Sequence, residues 1–133
     1  MNKRVLIIDD DKDLVSGLEQ ALRFNGYEVS AAYSGIAGLA ELERFEPHLI
    51  ILDVMMETDT AGFEVACRIR RNRTSNRYDR FKDVPIIMLT AITQVTNSRF
   101  SLNEEQSFLP GVEEFVTKPI DIDDLLEKIR RLT

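Results

Sequence analysis

Five side chains stand where an apolar run stops. Val5 to Ile8 runs into Asp9 and Asp10, "LIIL" at 49–52 into Asp53, "IIML" at 86–89 into Thr90, and "EEFVT" at 113–117 into Lys118. Clustered carboxylates repel one another, by about 4 kcal/mol for two unit charges ~4 Å apart at an effective dielectric near 20. A hard cation offsets that repulsion. Mg²⁺ suits such a cluster, because it keeps several waters and takes one or two carboxylates plus phosphate oxygens. A carboxylate held by Mg²⁺ can attack a phosphoryl group and become an acyl phosphate. A lysine and a threonine beside it can hold phosphoryl oxygens by charge and hydrogen bond. Asp11 and Asp13, which extend the acidic run, are assigned to a helix start and to solvent.

That chemistry requires the five residues to converge, and the elements between them explain how. The apolar runs at 5–8, 49–52 and 86–89 are short and continuous, as in parallel strands buried on both faces. "YEVSAA" at 27–32 and "EEFVTK" at 113–118 are weaker candidates. Helical spacing fills the intervals. One stripe is Leu14, Val15, Leu18, Ala21 and Leu22. A second is Ile36, Leu39, Ala40 and Leu42, with Ser34 as its N-cap, and a third is Phe63, Val65, Ala66 and Ile69. The last helix sets Ile122, Leu125, Leu126, Ile129 and Leu132 on one face, with its acids first and its bases last. Strand alternating with helix predicts a doubly wound parallel sheet with right-handed crossovers. In such a sheet ligands bind beyond the carboxyl ends of the strands, where the five residues fall. Residues 93–111 should hold the fourth of five helices, yet they are rich in Asn, Ser and Thr and carry only a loose apolar stripe.

The totals agree with one domain over 1–133. Hydrophobic residues make up 44% and charged residues 30% of the chain, which excludes a disordered polymer. No apolar run approaches the ~20 residues of a membrane span, and the amino terminus lacks a signal-peptide core. The single cysteine, Cys67, fits a reducing cytoplasm and reads as a small filler on a helix. Net charge is −6, but residues 68–82 hold seven bases against Asp79 alone. The acidic remainder argues against direct nucleic-acid binding, and the basic stretch reads first as a solvated helix end and loop. His48 precedes the third strand, away from the acidic cluster.

"VLIIDDD", "LIILDVMM…GFEV", "VPIIMLTA" and "FVTKPID", in that order and spacing, resemble the receiver domain of two-component response regulators over essentially the whole chain. The resemblance implies a flavodoxin-like α/β fold with strand order 2-1-3-4-5. It implies that Asp53 accepts a phosphoryl group from a histidine kinase or phosphotransfer protein. Asp9 and Asp10 would serve the Mg²⁺, with the Met55 backbone carbonyl as a further ligand. Thr90 would be the switch hydroxyl, Phe115 the switch aromatic, and Lys118, followed by a cis Pro119, the partner of the phosphoryl group. Such a domain is no general enzyme and catalyses only its own phosphorylation and dephosphorylation. Two side chains that tune water attack in this family fall here on Met55 and Ile92. Both are apolar, so slow self-dephosphorylation is expected.

The chain departs from the family pattern at Glu57, where proline is usual, and in "ETDTA", which lengthens the loop before Gly62. The stretch between Thr90 and Lys118 is also longer than usual, and the partner surface is expected in 93–120. No output domain is expected after Thr133, so the signal is expected to leave through protein contacts. Two other classes fit part of the pattern. A haloacid-dehalogenase-like phosphatase would use Asp9 and Asp11, Thr90, Lys118, then Asp123 and Asp124. A receiver-fold scaffold would take no phosphoryl group at all.

Overall fold

A computed structural model describes residues 2–70, 77–91 and 112–133. Its elements are β1 (Arg4–Ile8), α1 (Lys12–Phe24), β2 (Glu28–Ala32), α2 (Gly35–Phe45), β3 (Leu49–Asp53), α3 (Ala61–Arg70), β4 (Ile86–Ala91), β5 (Glu114–Lys118) and α4 (Ile122–Leu132). A short 3₁₀ turn at Asp79–Phe81 leads into β4. All strands are parallel, in the order β2-β1-β3-β4-β5. The helix expected within 93–111, and Ile92, lie outside the described residues.

Each central strand feeds two cores, because successive side chains alternate between faces. Leu6, Ile8, Ile50, Leu52, Ile86 and Met88 pack with residues of α2 and α3. Val5, Ile7, Leu49, Ile51, Ile87 and Leu89 pack with residues of α1 and α4. Burying one such Leu or Ile is worth about 1.5–3 kcal/mol, so the sheet is the most heavily anchored part of the molecule. That double burial is why β1, β3 and β4 read as unbroken apolar runs.

The helices α1 and α2 begin at the expected residues, and α4 is capped by Asp121. The Asp11 carboxylate accepts from the Leu14 amide, the Ser34 hydroxyl from Ala37, and the Asp121 carboxylate from Asp124. Asp13 sits exposed in the first turn of α1. The stripe assigned to α2 needs correction. Ile36 is 80% exposed and Ala40 is also exposed, while Gly35, Gly38, Leu39 and Leu42 face the core. A Cβ on Gly38 would collide with the Ile8 side chain, so glycine allows α2 to lie against β1. Apolar identity alone hid that contact. Cys67 is exposed on α3 rather than filling space, and Ile122 lies at the exposed margin of α4.

Candidate functional site at the carboxyl edge of the sheet

Register brings the acidic residues together. Ile8 pairs with Leu52, so one step further Asp9 lies beside Asp53. Asp53 pairs with Leu89, and Lys118 with Ala91. Asp9, Asp53 and Lys118 share the face of Ile7, Ile51 and Val116 by strand alternation. The Lys118 Nζ sits 3.1 Å from the Asp9 Oδ2 and 3.1 Å from the Asp53 Oδ1. One oxygen from each of Asp9, Asp10 and Asp53 can be chosen so that all lie within 4.8 Å of one another. Asp9 and Asp53 are buried, whereas Asp10 is exposed.

The surroundings are short of positive charge. Three carboxylates face one ammonium among the described residues. The Asp9 Oδ1 accepts from the Asp11 amide at 2.9 Å. Among the described residues its Oδ2, which is buried, has no aligned hydrogen-bond donor, and the ion pair to Lys118 balances it. Burial and the Asp9 carboxylate push Asp53 up to about 6 from an ordinary 3.8, Asp10 adds to the rise, and Lys118 opposes it. Burial alone would lower the Lys118 ammonium, but Asp53 and Asp9 hold it above its usual range. A compact set of hard oxygens, one of them lacking a donor, fits Mg²⁺ by size and chemistry.

The frame around Asp53 is tight. The Val54 amide donates to the Leu89 carbonyl at 3.1 Å, and the Val54 carbonyl accepts from the Gly62 amide at 2.8 Å. A Cβ on Gly62 would collide with the Asp53 carbonyl and stand 2.8 Å from the Val54 Cα. Only glycine lets α3 start this close to the backbone of Asp53. Gly62 belongs to the "GFEV" stretch, yet nothing in its spacing announces this close approach.

Thr90, the last residue but one of β4, lies inside the protein, and its hydroxyl donates to the Ala91 carbonyl at 3.1 Å. By alternation Thr90 shares the face of Met88, which pairs with Phe115 on β5. Phe115 is half-buried against that core. Met55 follows the site on the loop, with its side chain 40% exposed. The Lys118–Pro119 bond is cis. His48 stays apart, at the amino end of the sheet, where its Nδ1 accepts from the Arg4 amide at 2.9 Å. The described part of the basic stretch is largely taken up within the molecule. Arg77 pairs with Glu43, Arg80 with Glu46, and Arg70 with Glu113.

The response regulator receiver domain model matches residues 5–130, and the chain belongs to that family. The DNA-binding dual master transcriptional regulator RpaA of Synechocystis is 36% identical over 129 residues, covering 97% of this chain and 48% of RpaA. Response regulator MprA of Mycobacterium tuberculosis is 33% identical over 132 residues, covering 99% of this chain and 51% of MprA. The chain thus spans about half the length of these curated relatives. Among solved structures, the chemotaxis response regulator CheY4 of Vibrio cholerae superposes with a TM-score of 0.80 at 28% identity over 100% of both chains. A CheY-like receiver domain protein from Methanospirillum hungatei gives 0.77 at 33% identity, covering 98% of this chain and 93% of that one.

These findings make the chain a receiver domain of two-component signalling, with the flavodoxin-like fold that such domains share. Neither alternative is supported. Asp123 and Asp124 lie exposed in the first turn of α4, and Asp11 is engaged as a helix cap. RpaA is described as DNA-binding, which withdraws the acidic charge balance as a ground for excluding nucleic acid from the protein's partners. No described helix is long and apolar enough to cross a membrane.

Proposed function

We propose that Asp53 is the phosphoryl acceptor and that the donor is a phosphohistidine on a histidine kinase or phosphotransfer protein. The observation that carries this is the Lys118 ammonium bridging Asp9 and Asp53 at 3.1 Å each. It leaves the strand-end carboxylate of Asp53 held in place beside a fixed positive charge. An Asp53 carboxylate oxygen forms the new bond to phosphorus as the phosphorus–nitrogen bond breaks and its electron pair returns to the imidazole. Asp9, Asp10, Asp53 and the Met55 carbonyl would hold Mg²⁺, which when bound supplies positive charge to the phosphoryl oxygens. Lys118 pairs with one of those oxygens, exchanging a carboxylate for a phosphoryl partner. The added charge of about −1.5 to −2 draws the Thr90 hydroxyl toward it, and Phe115, on the same face, repacks by shape alone because it has no hydroxyl. Met55 and Ile92 cannot orient a water, so the aspartyl phosphate is long-lived. The domain acts in the cytoplasm and catalyses only its own phosphorylation and dephosphorylation.

Intact mass after incubation with acetyl phosphate and Mg²⁺ tests the proposal. One adduct is expected on the wild type and none on Asp53→Asn, with slow decay and no phosphatase added. Label on Asp9, or an adduct that survives in Asp53→Asn, would overturn the assignment. Rapid decay would overturn the role given to Met55 and Ile92.

A further inference from the structure

We propose that Glu57 is a positioning residue for the metal-binding loop, fastening it to the first turn of α2 and so fixing where the Met55 carbonyl lies. This rests on the Mg²⁺ site proposed above. The loop between Asp53 and α3 is held at its start by Val54, bonded to Leu89 and Gly62. Beyond Val54 it runs along the surface, with Met56 half-buried against the core. Met55 is exposed, and the Met56 amide turns back to the Thr58 carbonyl at 3.1 Å. Glu57, inside that turn, reaches out of its own loop. Its Oε1 accepts from the Gly35 amide at 2.8 Å and its Oε2 from the Ile36 amide at 3.3 Å.

Gly35 and Ile36 open α2, where amides lack helical partners and the helix dipole favours an anion. Ser34 takes the Ala37 amide, so a local cap and a distant carboxylate divide the first turn between them. Burial works against the charge on Glu57, but these amide bonds, with one from its own amide, hold the carboxyl below its usual range. Gly35 is packed close: a Cβ there would stand 3.0 Å from the Val65 Cγ2 and 3.4 Å from the Glu57 Oε2. The tie spans 22 residues of sequence and sets the loop two residues after Met55. Its other ties run to the core through Met56 and to α3 through the Thr58 and Thr60 carbonyls, which accept from the Ala61 and Glu64 amides, so Glu57 supplies its tie to α2.

The test measures Mg²⁺ affinity of the unphosphorylated chain by calorimetry, together with amide exchange at Gly35 and Ile36. Glu57→Ala is expected to bind Mg²⁺ about tenfold more weakly, the low end for groups that orient a ligand, and to exchange both amides faster. Glu57→Gln keeps an acceptor oxygen and is expected within about twofold of wild type. Glu57→Leu repeats the comparison at similar side-chain volume should the alanine variant fail to fold. Unchanged affinity in Glu57→Ala with faster exchange would overturn the proposal. Equal weakening in Glu57→Ala and Glu57→Gln would also overturn it, by assigning the effect to charge. Wild-type protein that takes up no Mg²⁺ would overturn the metal site itself, and the role of Glu57 with it. An intact Asp53 adduct dependent on Mg²⁺ beside a null effect of Glu57→Ala would overturn the positioning role alone.

Discussion

The two ends of one sheet treat charge in opposite ways. At the amino end polar groups are matched. Glu113 accepts from the Ile86 amide at 2.7 Å and pairs with Arg70 at 3.0 Å, while Arg70 also donates to the Lys82 carbonyl at 2.7 Å. Arg4 donates to the carbonyls of Phe45 and Glu46, and His48 accepts from the Arg4 amide. At the carboxyl end, among the described residues, three carboxylates cluster around one lysine that pairs with two of them. Both ends are ordered by the same strands, so folding does not require the imbalance. The matched end closes the structure, and the unmatched end keeps a standing affinity for positive charge.

Removing Lys118 should widen the contrast most. In Lys118→Met the buried Asp9 and Asp53 lose their counter-ion. Breaking a fully buried pair costs roughly 3–5 kcal/mol, and with the Lys118 side chain 27% exposed about 2 kcal/mol is expected. Urea unfolding in EDTA at pH 7 measures it, and acetyl phosphate uptake should fall by about a hundredfold. Stability equal to wild type would mean that the carboxylates are not confined together.

Titration should separate the ends by sign. The Asp53 carboxyl sits at about 6, above its ordinary 3.8. Its protonation therefore favours the folded state, so the contribution is fully present below about 3.8 and is lost as pH rises through about 6. His48 is held below its usual 6.5 by burial, with Arg4 and Lys3 adding to the effect. Its contribution is present above 6.5 and is lost as pH falls through the lowered value. In metal-free protein, wild type should gain on Asp53→Asn between pH 7 and 4, by up to about 3 kcal/mol. It should lose on His48→Gln over the same acid range. Parallel stability curves for wild type and Asp53→Asn would remove the electrostatic account of the site.

The smallest effect belongs to the matched end. Glu113→Gln keeps an acceptor for the Ile86 amide but weakens the Arg70 pair, and a loss of about 1 kcal/mol is expected. The midpoint in urea reports it. Phosphoryl uptake should stay unchanged, and a drop would show that the two ends are coupled through β4 and β5.

The acidic end was the more legible in sequence. Strands buried on both faces announce themselves as apolar runs, and reading the residue after each run found Asp9, Asp53, Thr90 and Lys118 at one edge. Asp11, Ser34 and the acids-first order of α4 were legible because caps act within three or four residues. What escaped depends on distant approach. Glu57 meets a helix 22 residues earlier, Glu113 meets Arg70 across 43 residues, and Gly62 matters for the side chain it lacks. Ile36 lies outside the buried stripe of α2 for a related reason, since Gly35 and Gly38 take core-facing places there beside Leu39 and Leu42.

The order of the chain gives the site a history during synthesis. Asp9, Asp10 and Asp53 are made first, and Lys118 follows Asp53 by 65 residues. At about 5–20 residues per second, several seconds separate the nascent carboxylates from the side chain that partly offsets their charge. A ribosome-bound fragment ending before β5 carries β1 to β4 and the carboxylates of Asp9, Asp10 and Asp53, but not the ammonium that pairs with Asp9 and Asp53. The strand that carries Lys118 therefore brings more than a hydrogen-bonded edge: its arrival sets one positive charge among the carboxylates that the earlier strands have assembled.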